Sequence, residues 1–313
     1  MFEPKLTIVV PCYNEQDVLP ETVRRLSDLI TSLILKQKVA GSSEILFVDD
    51  GSSDQTWRLI AKHSAASTAV RGIKLSRNRG HQIALLAGLH VADGDAIVSI
   101  DADLQDDINV IETMLDKFCE GHEVVYGVRD DRSSDSFAKR STAEIYYKVL
   151  AAMGVEVVFN HADFRLLSKR ALNALKQYDE VNLFLRGIVP TLGYRSCQVT
   201  YERKERFAGQ SKYPLRKMLA LAFDGVTSFS AMPLRFIAGL GVLLFLVSLA
   251  TSIWVLWVKL FTLDAIPGWA SSVLPMYLLG GIQLLSVGVV GEYVAKLYME
   301  AKRRPKFFIE ETV

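Results

Sequence analysis

The sequence predicts an α/β domain built on a mostly parallel sheet, followed by a strongly apolar C-terminal part. Short apolar runs alternate with stretches of helical periodicity along residues 1–213, and polar clusters directly follow several of these runs. Two long apolar runs beyond residue 232 set the C-terminal part apart, because each is long enough to cross a bilayer as a helix.

Predicted strands and helices alternate regularly in the first half of the chain. A strand is predicted at each short apolar run, and a helix where apolar residues recur every three to four positions. The predicted strands are 6–10, 44–48, 70–75, 96–100 and 123–127. The predicted helices are 18–36, the segment around Trp57–Ile60, 80–92 and 108–119. In sheets of this kind, ligands bind at the edge formed by the carboxyl ends of the strands.

The C-terminal part is predicted to contain an interface helix and a transmembrane hairpin. Residues 214–232 carry apolar side chains on one helical face, which favours a helix in the membrane interface over an amphipathic core helix. Residues 233–298 hold the two apolar runs, at about 236–258 and 273–295. Either run alone also fits a buried core helix, but two in tandem favour a hairpin, with 299–313 as a cytoplasmic tail.

The charges that flank these runs predict their orientation. Arg235 precedes the first run and a basic cluster follows the second, whereas the connecting loop carries only Lys259 and Asp264. The positive-inside rule then places the large domain and both termini in the cytoplasm. Small residues along the second run permit close helix contacts and favour a homo-oligomer. These residues are Gly280, Gly281, Gly288 and Gly291.

Composition argues against several classes of protein. The formal net charge is +1, so the sequence implies no general attraction to nucleic acid. The three cysteines, Cys12, Cys119 and Cys197, are scattered and fit neither a disulfide framework nor a zinc cluster. Reduced thiols in a cytosolic domain are the simplest interpretation.

The strongest candidate for a metal site is Asp101-Ala102-Asp103, directly after a predicted strand. Two carboxylates on a tight turn offer the oxygen ligands that a hard divalent cation prefers. Such a cation would stabilise a diphosphate as a leaving group. Acidic turns are common on protein surfaces, but the position at a strand end, with Gln105 close by, favours the metal site.

Two other strand ends carry polar motifs, PCYNE at residues 11–15 and DDGSSD at residues 49–54. Tyr13 is suited to stacking against a base. Glu15 and Asp50 are suited to accepting hydrogen bonds from a base or a ribose. Each motif alone also fits a simple strand-to-helix turn.

Basic and ion-pairing residues indicate where phosphate could bind. The motif SRNRG at 76–80 follows the third strand, and the segment 203–212 lies just before the interface helix. The second segment also fits a basic patch attracted to anionic lipid. Asp163 and Arg165 lie two residues apart, on the same side of an extended chain. They form either a structural ion pair or a site in which Asp163 is a base or an orienting group.

The ordered motifs PCYNE, FVDDGSSD, SRNRG, DADLQD, ADFRL and ERFAGQSKY resemble the family 2 glycosyltransferases, which have the Rossmann-like GT-A fold. Within that family the chain is similar to polyprenyl-phosphate glycosyltransferases. These include the bacterial bactoprenol glucosyltransferases and, less closely, dolichyl-phosphate mannose synthase. The resemblance covers nearly the whole chain, including the ending RRPKFFIEE. One departure is Asp107, where the family usually has proline.

The resemblance implies inverting transfer of a hexose, preferably glucose from UDP-glucose, to undecaprenyl or another polyprenyl phosphate. It places this reaction at the cytoplasmic face of a bacterial inner membrane, in O-antigen or cell-envelope glycan modification, with Mg²⁺ or Mn²⁺ as cofactor. Another donor, such as GDP-mannose or an amino sugar, stays open as an alternative. A catalytically inactive scaffold that binds nucleotide or lipid is a second alternative.

The same resemblance assigns roles to individual residues. The nucleotide sugar is assigned to Pro11, Tyr13, Glu15, Asp50, Arg79, Asp101 and Asp103, and the metal to Asp103 and Gln105. Asp163 and Arg165 are assigned to catalysis, with Asp163 as the base, and phosphate binding to Arg206, Ser211 and Lys212. A phosphate monoester is already mostly dianionic at neutral pH, so it hardly needs a base. We therefore expect Asp163 mainly to orient Arg165 and the acceptor.

Two other classes of membrane protein are disfavoured. A processive polysaccharide synthase needs more than two spans to build a translocation channel, and the sequence contains no Gln-x-x-Arg-Trp motif. A flippase or channel likewise finds no pathway in two helices unless the chain oligomerises.

Overall fold

The computed structural model describes residues 3–129, 161–180, 185–201, 232–261 and 269–313. The predicted interface helix and the predicted phosphate-binding residues Arg206, Ser211 and Lys212 lie outside the described residues. The chain divides into two compact units. One contains the N-terminal part together with Arg303–Val313, and the other contains the two long C-terminal helices.

A mixed sheet of eight strands forms the centre of the first unit. The strands are β1 (Leu6–Cys12), β2 (Glu44–Asp49), β3 (Val70–Leu75), β4 (Ala96–Ser99), β5 (Val124–Arg129), β6 (His161–Ser168), β7 (Ser196–Tyr201) and β8 (Ile309–Thr312). Their order across the sheet is β7-β5-β6-β4-β1-β2-β3-β8. The predicted parallel arrangement is confirmed for β1 to β4. The sheet as a whole is mixed, because β6 runs antiparallel to β4 and β5, and β8 runs antiparallel to β3.

Helices connect and cover these strands. They are α1 (Leu19–Leu35), α2 (Thr56–Ala66), α3 (His81–Val91), α4 (Val110–Cys119), α5 (Lys169–Leu175) and α6 (Leu185–Thr191). The strands and helices predicted between residues 6 and 127 are confirmed, with their ends shifted by no more than two residues where bounds were given.

Apolar periodicity explains why these elements form and where they pack. All seven residues of β1 and all six of β2 are buried, as expected of central strands covered on both faces. Helix α1 buries Leu19, Val23, Leu26, Ile30 and Leu33, which recur every three to four residues. The packed central strands hold the polar turns at their carboxyl ends in fixed positions.

The second unit contains two long helices, α7 (Met232–Phe261) and α8 (Trp269–Ala301). They include the two apolar runs of the sequence, and several large side chains on them are exposed, among them Phe236 and Leu284. Within the described ranges, no helix combines the length and the hydropathy that a bilayer crossing requires. The structure therefore does not confirm the predicted transmembrane hairpin.

The final residues belong to the sheet. Residues 299–313, predicted as a tail from their position in the sequence, include the end of α8 and the whole of β8. Strand β8 pairs with β3 at the sheet edge, with Thr312 opposite Ile73 and Glu311 opposite Lys74. The end of the chain is thus attached to the domain that carries the candidate site.

Candidate active site

The turns that follow β1 and β2 interlock at the carboxyl edge of the sheet. The backbone N–H of Asn14 donates to Ser52 Oγ at 2.9 Å, and Asn14 Oδ1 accepts from the Ser53 N–H at 2.9 Å. The Glu15 N–H donates to Thr56 Oγ1 at 2.9 Å. Asn14 has a left-handed φ of 54°, a conformation that asparagine tolerates better than most residues. The two predicted nucleotide motifs therefore form one connected structure.

The predicted ligands at these two strand ends differ in access. Pro11 is buried within β1, whereas Tyr13 is 47% exposed and available for stacking. Asp49, the last residue of β2, is fully buried, and burial raises the pKa of its carboxyl. Its Oδ2 accepts from the Ser52 N–H at 3.2 Å, while Oδ1 has no hydrogen-bond partner among the described residues.

The carboxylate of Asp50 holds the loop that follows β3. Its oxygens accept from the backbone N–H groups of Arg79 and Gly80 at 2.7 and 2.8 Å. Burial raises the pKa of Asp50, although these two hydrogen bonds act in the opposite direction. Gly51 has a φ of 66°, and a Cβ there would lie 2.7 Å from the carbonyl carbon of Arg77. The turn after β2 therefore packs backbone against backbone on the loop after β3.

The turn after β4 carries the predicted metal ligands. Thr22 Oγ1 on α1 donates to the Ala102 carbonyl at 2.9 Å and fixes the turn. Leu104 adopts a left-handed φ of 56°, a strained conformation for leucine of the kind that persists at functional sites. The Gln105 N–H donates to Asp103 Oδ1 at 3.2 Å. Among the described residues, no three His, Cys, Asp or Glu side chains group closely enough to hold a metal.

This set of ligands still fits a divalent cation that shares its coordination with a substrate. Mg²⁺ is commonly held by one or two carboxylates together with phosphate oxygens of the ligand.

Asp107, where the family usually has proline, accepts from the backbone N–H and the Nδ2 of Asn109 at 3.3 and 2.9 Å. The departure thus supplies a side-chain hydrogen bond just before α4.

Asp163 and Arg165 lie on one side of β6, as the sequence predicts. Both are buried, and an Arg165 NH2 group donates to Asp163 Oδ1. Arg165 also donates to the Leu185 carbonyl at 3.2 Å. Arg165 pairs with Ser99, the last residue of β4, across antiparallel strands, and Asp101 lies in the turn that begins directly after this pair. The sheet thereby brings the predicted catalytic pair beside the turn that carries the predicted metal ligands.

Three further side chains converge on Asp163, and the sequence did not reveal them. Gln82 Nε2 donates to Asp163 Oδ2 at 3.0 Å, and Arg186 NH2 donates to the same oxygen at 3.2 Å. His81 Nε2 lies 3.4 Å from Asp163 Oδ2 and 3.5 Å from Asp101 Oδ1. His81 and Gln82 directly follow the SRNRG motif, so extending that motif into the helix would have found them. Arg186 lies in an apolar segment that gave no signal.

The charges in this cluster control its pKa values. Burial alone would raise the pKa of Asp163, but Arg186, His81 and Arg165 outweigh burial and hold it well below its ordinary value. Burial opposes the charged form of His81, but the carboxylates of Asp163 and Asp101 prevail and raise its pKa. Removal from water raises the pKa of Asp101 to about 6, and neighbouring carboxylates add to this effect. Asp163 is therefore an ionised carboxylate surrounded by cations.

The structure does not bring the Arg79 side chain into this cluster. Its Nε donates to the Lys306 carbonyl at 2.7 Å, in the segment that precedes β8. Arg79 was predicted to bind the nucleotide sugar, and its contact with the far end of the chain is not visible in the local sequence.

The chain matches the family model described as Glycosyl transferase family 2 over residues 7–176. It is 51% identical to "Uncharacterized glycosyltransferase YkoT" of Bacillus subtilis (strain 168), over 98% of this chain and 92% of the relative. It is 37% identical to "Prophage bactoprenol glucosyl transferase homolog" of Escherichia coli (strain K12), over 98% of each chain. A solved glucosyl-3-phosphoglycerate synthase from Mycobacterium tuberculosis, in complex with Mg²⁺ and UDP, shares 20% identity and a TM-score of 0.49, over 72% of this chain and 77% of that chain.

Proposed function

Because the chain belongs to glycosyl transferase family 2, we propose that it transfers glucose from UDP-glucose to a polyprenyl phosphate, with inversion at the anomeric carbon. Glycosyltransferase activity follows from the family itself. The names of relatives support the finer assignment. A Shigella flexneri protein that matches nearly the whole chain is called a bactoprenol glucosyl transferase, and the Escherichia coli relative is called a homolog of one.

The cations around Asp163 are the observation that carries the phosphate acceptor. Arg165 is fully buried against the carboxylate, while the Arg186 side chain is 36% exposed and can meet a ligand. Arginine binds phosphate through planar, charge-assisted hydrogen bonds. A carboxylate that fixes the guanidinium of Arg186 lowers the entropy lost when the phosphate binds. The cluster suits an anionic acceptor better than a neutral hydroxyl.

The low pKa of Asp163 supports an orienting role. In the proposed step, an acceptor phosphate oxygen attacks the anomeric carbon and forms the new C–O bond. The bond from that carbon to the β-phosphate oxygen breaks, and UDP leaves with the electron pair. The attacking oxygen is already anionic at neutral pH. Asp163 keeps Arg165, Arg186 and His81 in position, and no proton needs to move to it.

The donor is assigned to the connected turns at the carboxyl edge of the sheet. Tyr13 is exposed and can stack against the uracil ring, and the turns that carry Glu15 and Asp50 follow the neighbouring strands β1 and β2. Asp101 and Asp103 follow β4 at the same edge. Ligands of α/β sheets bind at this edge, which supports a nucleotide sugar here.

Mg²⁺ or Mn²⁺ is the proposed cofactor. Asp103 and Gln105 would hold it, and when bound it would neutralise the charge that develops on the departing diphosphate. The protein's own contribution is the rigid turn, fixed by Thr22 and by the left-handed Leu104.

We also propose that α7 and α8 anchor the enzyme in the bacterial inner membrane, with the catalytic domain in the cytoplasm. Both helices present large exposed apolar side chains, such as Trp254, Trp257 and Met276. Extended apolar surfaces of this kind usually mark a site of contact with a membrane or with another protein. A membrane location would bring the enzyme to its polyprenyl substrate.

An assay of the full chain in detergent tests the proposal. The enzyme is incubated with short polyprenyl phosphate, Mg²⁺ or Mn²⁺, and one donor at a time from UDP-glucose, UDP-galactose, UDP-N-acetylglucosamine and GDP-mannose. Product mass and nucleotide release are measured. We expect a polyprenyl phosphate hexose from UDP-glucose, released together with UDP.

Two results would overturn parts of this assignment. A higher rate with GDP-mannose or the amino-sugar donor would reject glucose while keeping the acceptor. No product and no nucleotide release with any donor would favour the inactive scaffold.

A further inference from the structure

We propose that the C-terminal segment, residues 303–313, is a positioning element for the donor loop, residues 76–80. In this view Arg79 acts through the Lys306 carbonyl and holds the loop in place for the nucleotide sugar. The inference rests on the proposed function, because it concerns the donor side of that site.

The C-terminal segment is attached by a continuous hydrogen-bonded edge. Gly72 and Val313 exchange both backbone hydrogen bonds, at 2.8 and 2.9 Å. The pairing of β8 with β3 follows, and it shifts register at Leu75, directly before the donor loop. The Ser76 N–H then donates to the Phe308 carbonyl at 3.0 Å, which carries the pairing into the loop. The first residue of the donor loop is thus bonded to the C-terminal segment.

Side chains secure this edge. Trp57 Nε1 donates to Glu311 Oε2 at 2.8 Å. Lys74 Nζ lies 3.1 Å from a carboxylate oxygen of both Glu310 and Glu311. A Cβ at Gly72 would lie 2.4 Å from Ile60 Cγ2 and 3.1 Å from Val313 Cγ2, so the absent side chain makes room first for α2 and then for the last residue of the C-terminal segment. The C-terminal segment therefore packs at a specific site on α2 and β3.

Arg79 is held from two sides. Its backbone N–H donates to Asp50 Oδ1 at 2.7 Å, and its side-chain Nε donates to the Lys306 carbonyl at 2.7 Å. Lys306 Nζ donates in turn to the Tyr178 carbonyl at 3.3 Å. The neighbouring Phe307 ring packs edge-on against His90, with ring centroids 5.8 Å apart. The donor loop is therefore held between Asp50 and the C-terminal segment.

The position of this loop matters because α3 begins directly after it. Gly80 has a φ of 90° and leads into His81 and Gln82, which reach Asp163 and Asp101. A displaced loop would move both the Asp50 contacts and the first turn of α3. Small displacements of positioning residues can reduce catalytic rates strongly. The C-terminal segment thus fixes the loop that connects Asp50 to the side chains around Asp163.

Two substitutions outside the catalytic machinery test this inference. Trp57→Phe removes the hydrogen bond to Glu311, and Phe307→Ala removes the ring contact with His90. Each should raise the donor KM by up to about five-fold, the factor that corresponds to one typical hydrogen bond for Trp57→Phe and to one aromatic pair for Phe307→Ala, with the acceptor KM unchanged. Glu120→Gln is the control, because it removes a similarly exposed ion pair with Lys117 on α4, which packs on β5 to β7 at the other end of the sheet, and the donor KM should stay at the wild-type value.

A double-mutant cycle separates positioning from direct binding. Arg79→Gln removes the guanidinium, and its effect on donor KM is measured alone and together with Phe307→Ala. If Arg79 acts through the C-terminal segment, the donor KM of the double variant should be little higher than that of Arg79→Gln alone. Both substitutions then break the same link between the segment and the donor loop. Fully multiplicative effects of Arg79→Gln and Phe307→Ala on donor KM would show that Arg79 acts on the donor independently of the C-terminal segment and would overturn the inference.

Amide hydrogen exchange gives a readout that does not depend on turnover. In Trp57→Phe and Phe307→Ala, exchange at residues 76–80 should accelerate, while the buried amides of β1 keep their protection. Unchanged exchange and unchanged donor KM in both variants would overturn the inference. If the proposed function is wrong, the wild-type protein will transfer no sugar. The hydrogen-exchange result would still show whether the C-terminal segment holds the donor loop.

Discussion

At the residue scale, Asp163 is a carboxylate whose neighbours determine its role. Its two oxygens lie within hydrogen-bonding or ion-pairing distance of four side chains, those of Arg165, Arg186, Gln82 and His81. A general base works best with a pKa near the working pH, whereas the cations here hold the pKa of Asp163 far below neutrality. This arrangement suits a residue that positions cations for an anionic acceptor.

Asp163→Asn should lower kcat/KM on the order of 10²-fold, by the same factor at about pH 6 and about pH 8.5. The amide keeps the shape but loses the charge that aligns Arg165 and Arg186, and this loss does not depend on pH. Steady-state rates at the two pH values, with circular dichroism to confirm folding, provide the check. Recovery of activity at the higher pH would instead assign proton abstraction to Asp163.

Asp101 should make donor use depend on pH. Its pKa is raised to about 6, so the carboxylate loses its charge as the pH falls through that value, and kcat/KM for the donor should fall with it. His81 opposes this rise in the pKa. His81→Gln should therefore move the inflection to higher pH. A profile of kcat/KM between about pH 5 and pH 8 measures it, and an inflection unchanged in His81→Gln would contradict the coupling.

At the element scale, the site is formed by turns that pack on one another, and glycine permits the closest approach. Gly51→Ala introduces a Cβ into a left-handed residue, 2.7 Å from the backbone of Arg77 and Asn78. We expect the free energy of unfolding to fall by about 1–3 kcal/mol, the usual cost of such strain, and donor KM to rise. Gly41→Ala is the control, because no atom lies within 4 Å of a Cβ there. Equal stability of the two variants would argue against the close packing of these turns.

Local sequence patterns account for the elements from β1 to β5 because each has its own apolar run or helical stripe. Strand β8 has no such run, and its partner β3 lies far away in the sequence, so no local pattern could reveal the pairing. The same limit of local patterns explains which residues of the site could be predicted. Asp101 and Asp163 belong to motifs and were predicted, whereas Arg186 reaches Asp163 only through the fold.

At the scale of the whole molecule, the proposed membrane anchor determines on which side the reaction occurs. Cys119 on α4 is exposed, and Cys12 is buried. In intact spheroplasts a membrane-impermeant maleimide should leave Cys119 unlabelled, and it should label Cys119 in inverted membrane vesicles. Because Cys197 on β7 is partly exposed, the experiment uses Cys197→Ser as its background, and adding Cys119→Ser, which removes the target thiol, is the control. Labelling in intact spheroplasts, or recovery of the full chain in the soluble fraction, would contradict the proposed anchor and orientation.

We propose that the acceptor is an anionic lipid phosphate bound by Arg186 beside Asp163. The most direct measurement compares glucose transfer from UDP-glucose to a polyprenyl phosphate and to the matching polyprenol, with product mass as the readout. We expect the glycosylated phosphate to form and no glycosylated alcohol to appear, because the alcohol lacks the charge that Arg186 can bind. Equal transfer to the polyprenol, or transfer to neither acceptor, would contradict a phosphate acceptor bound by Arg186.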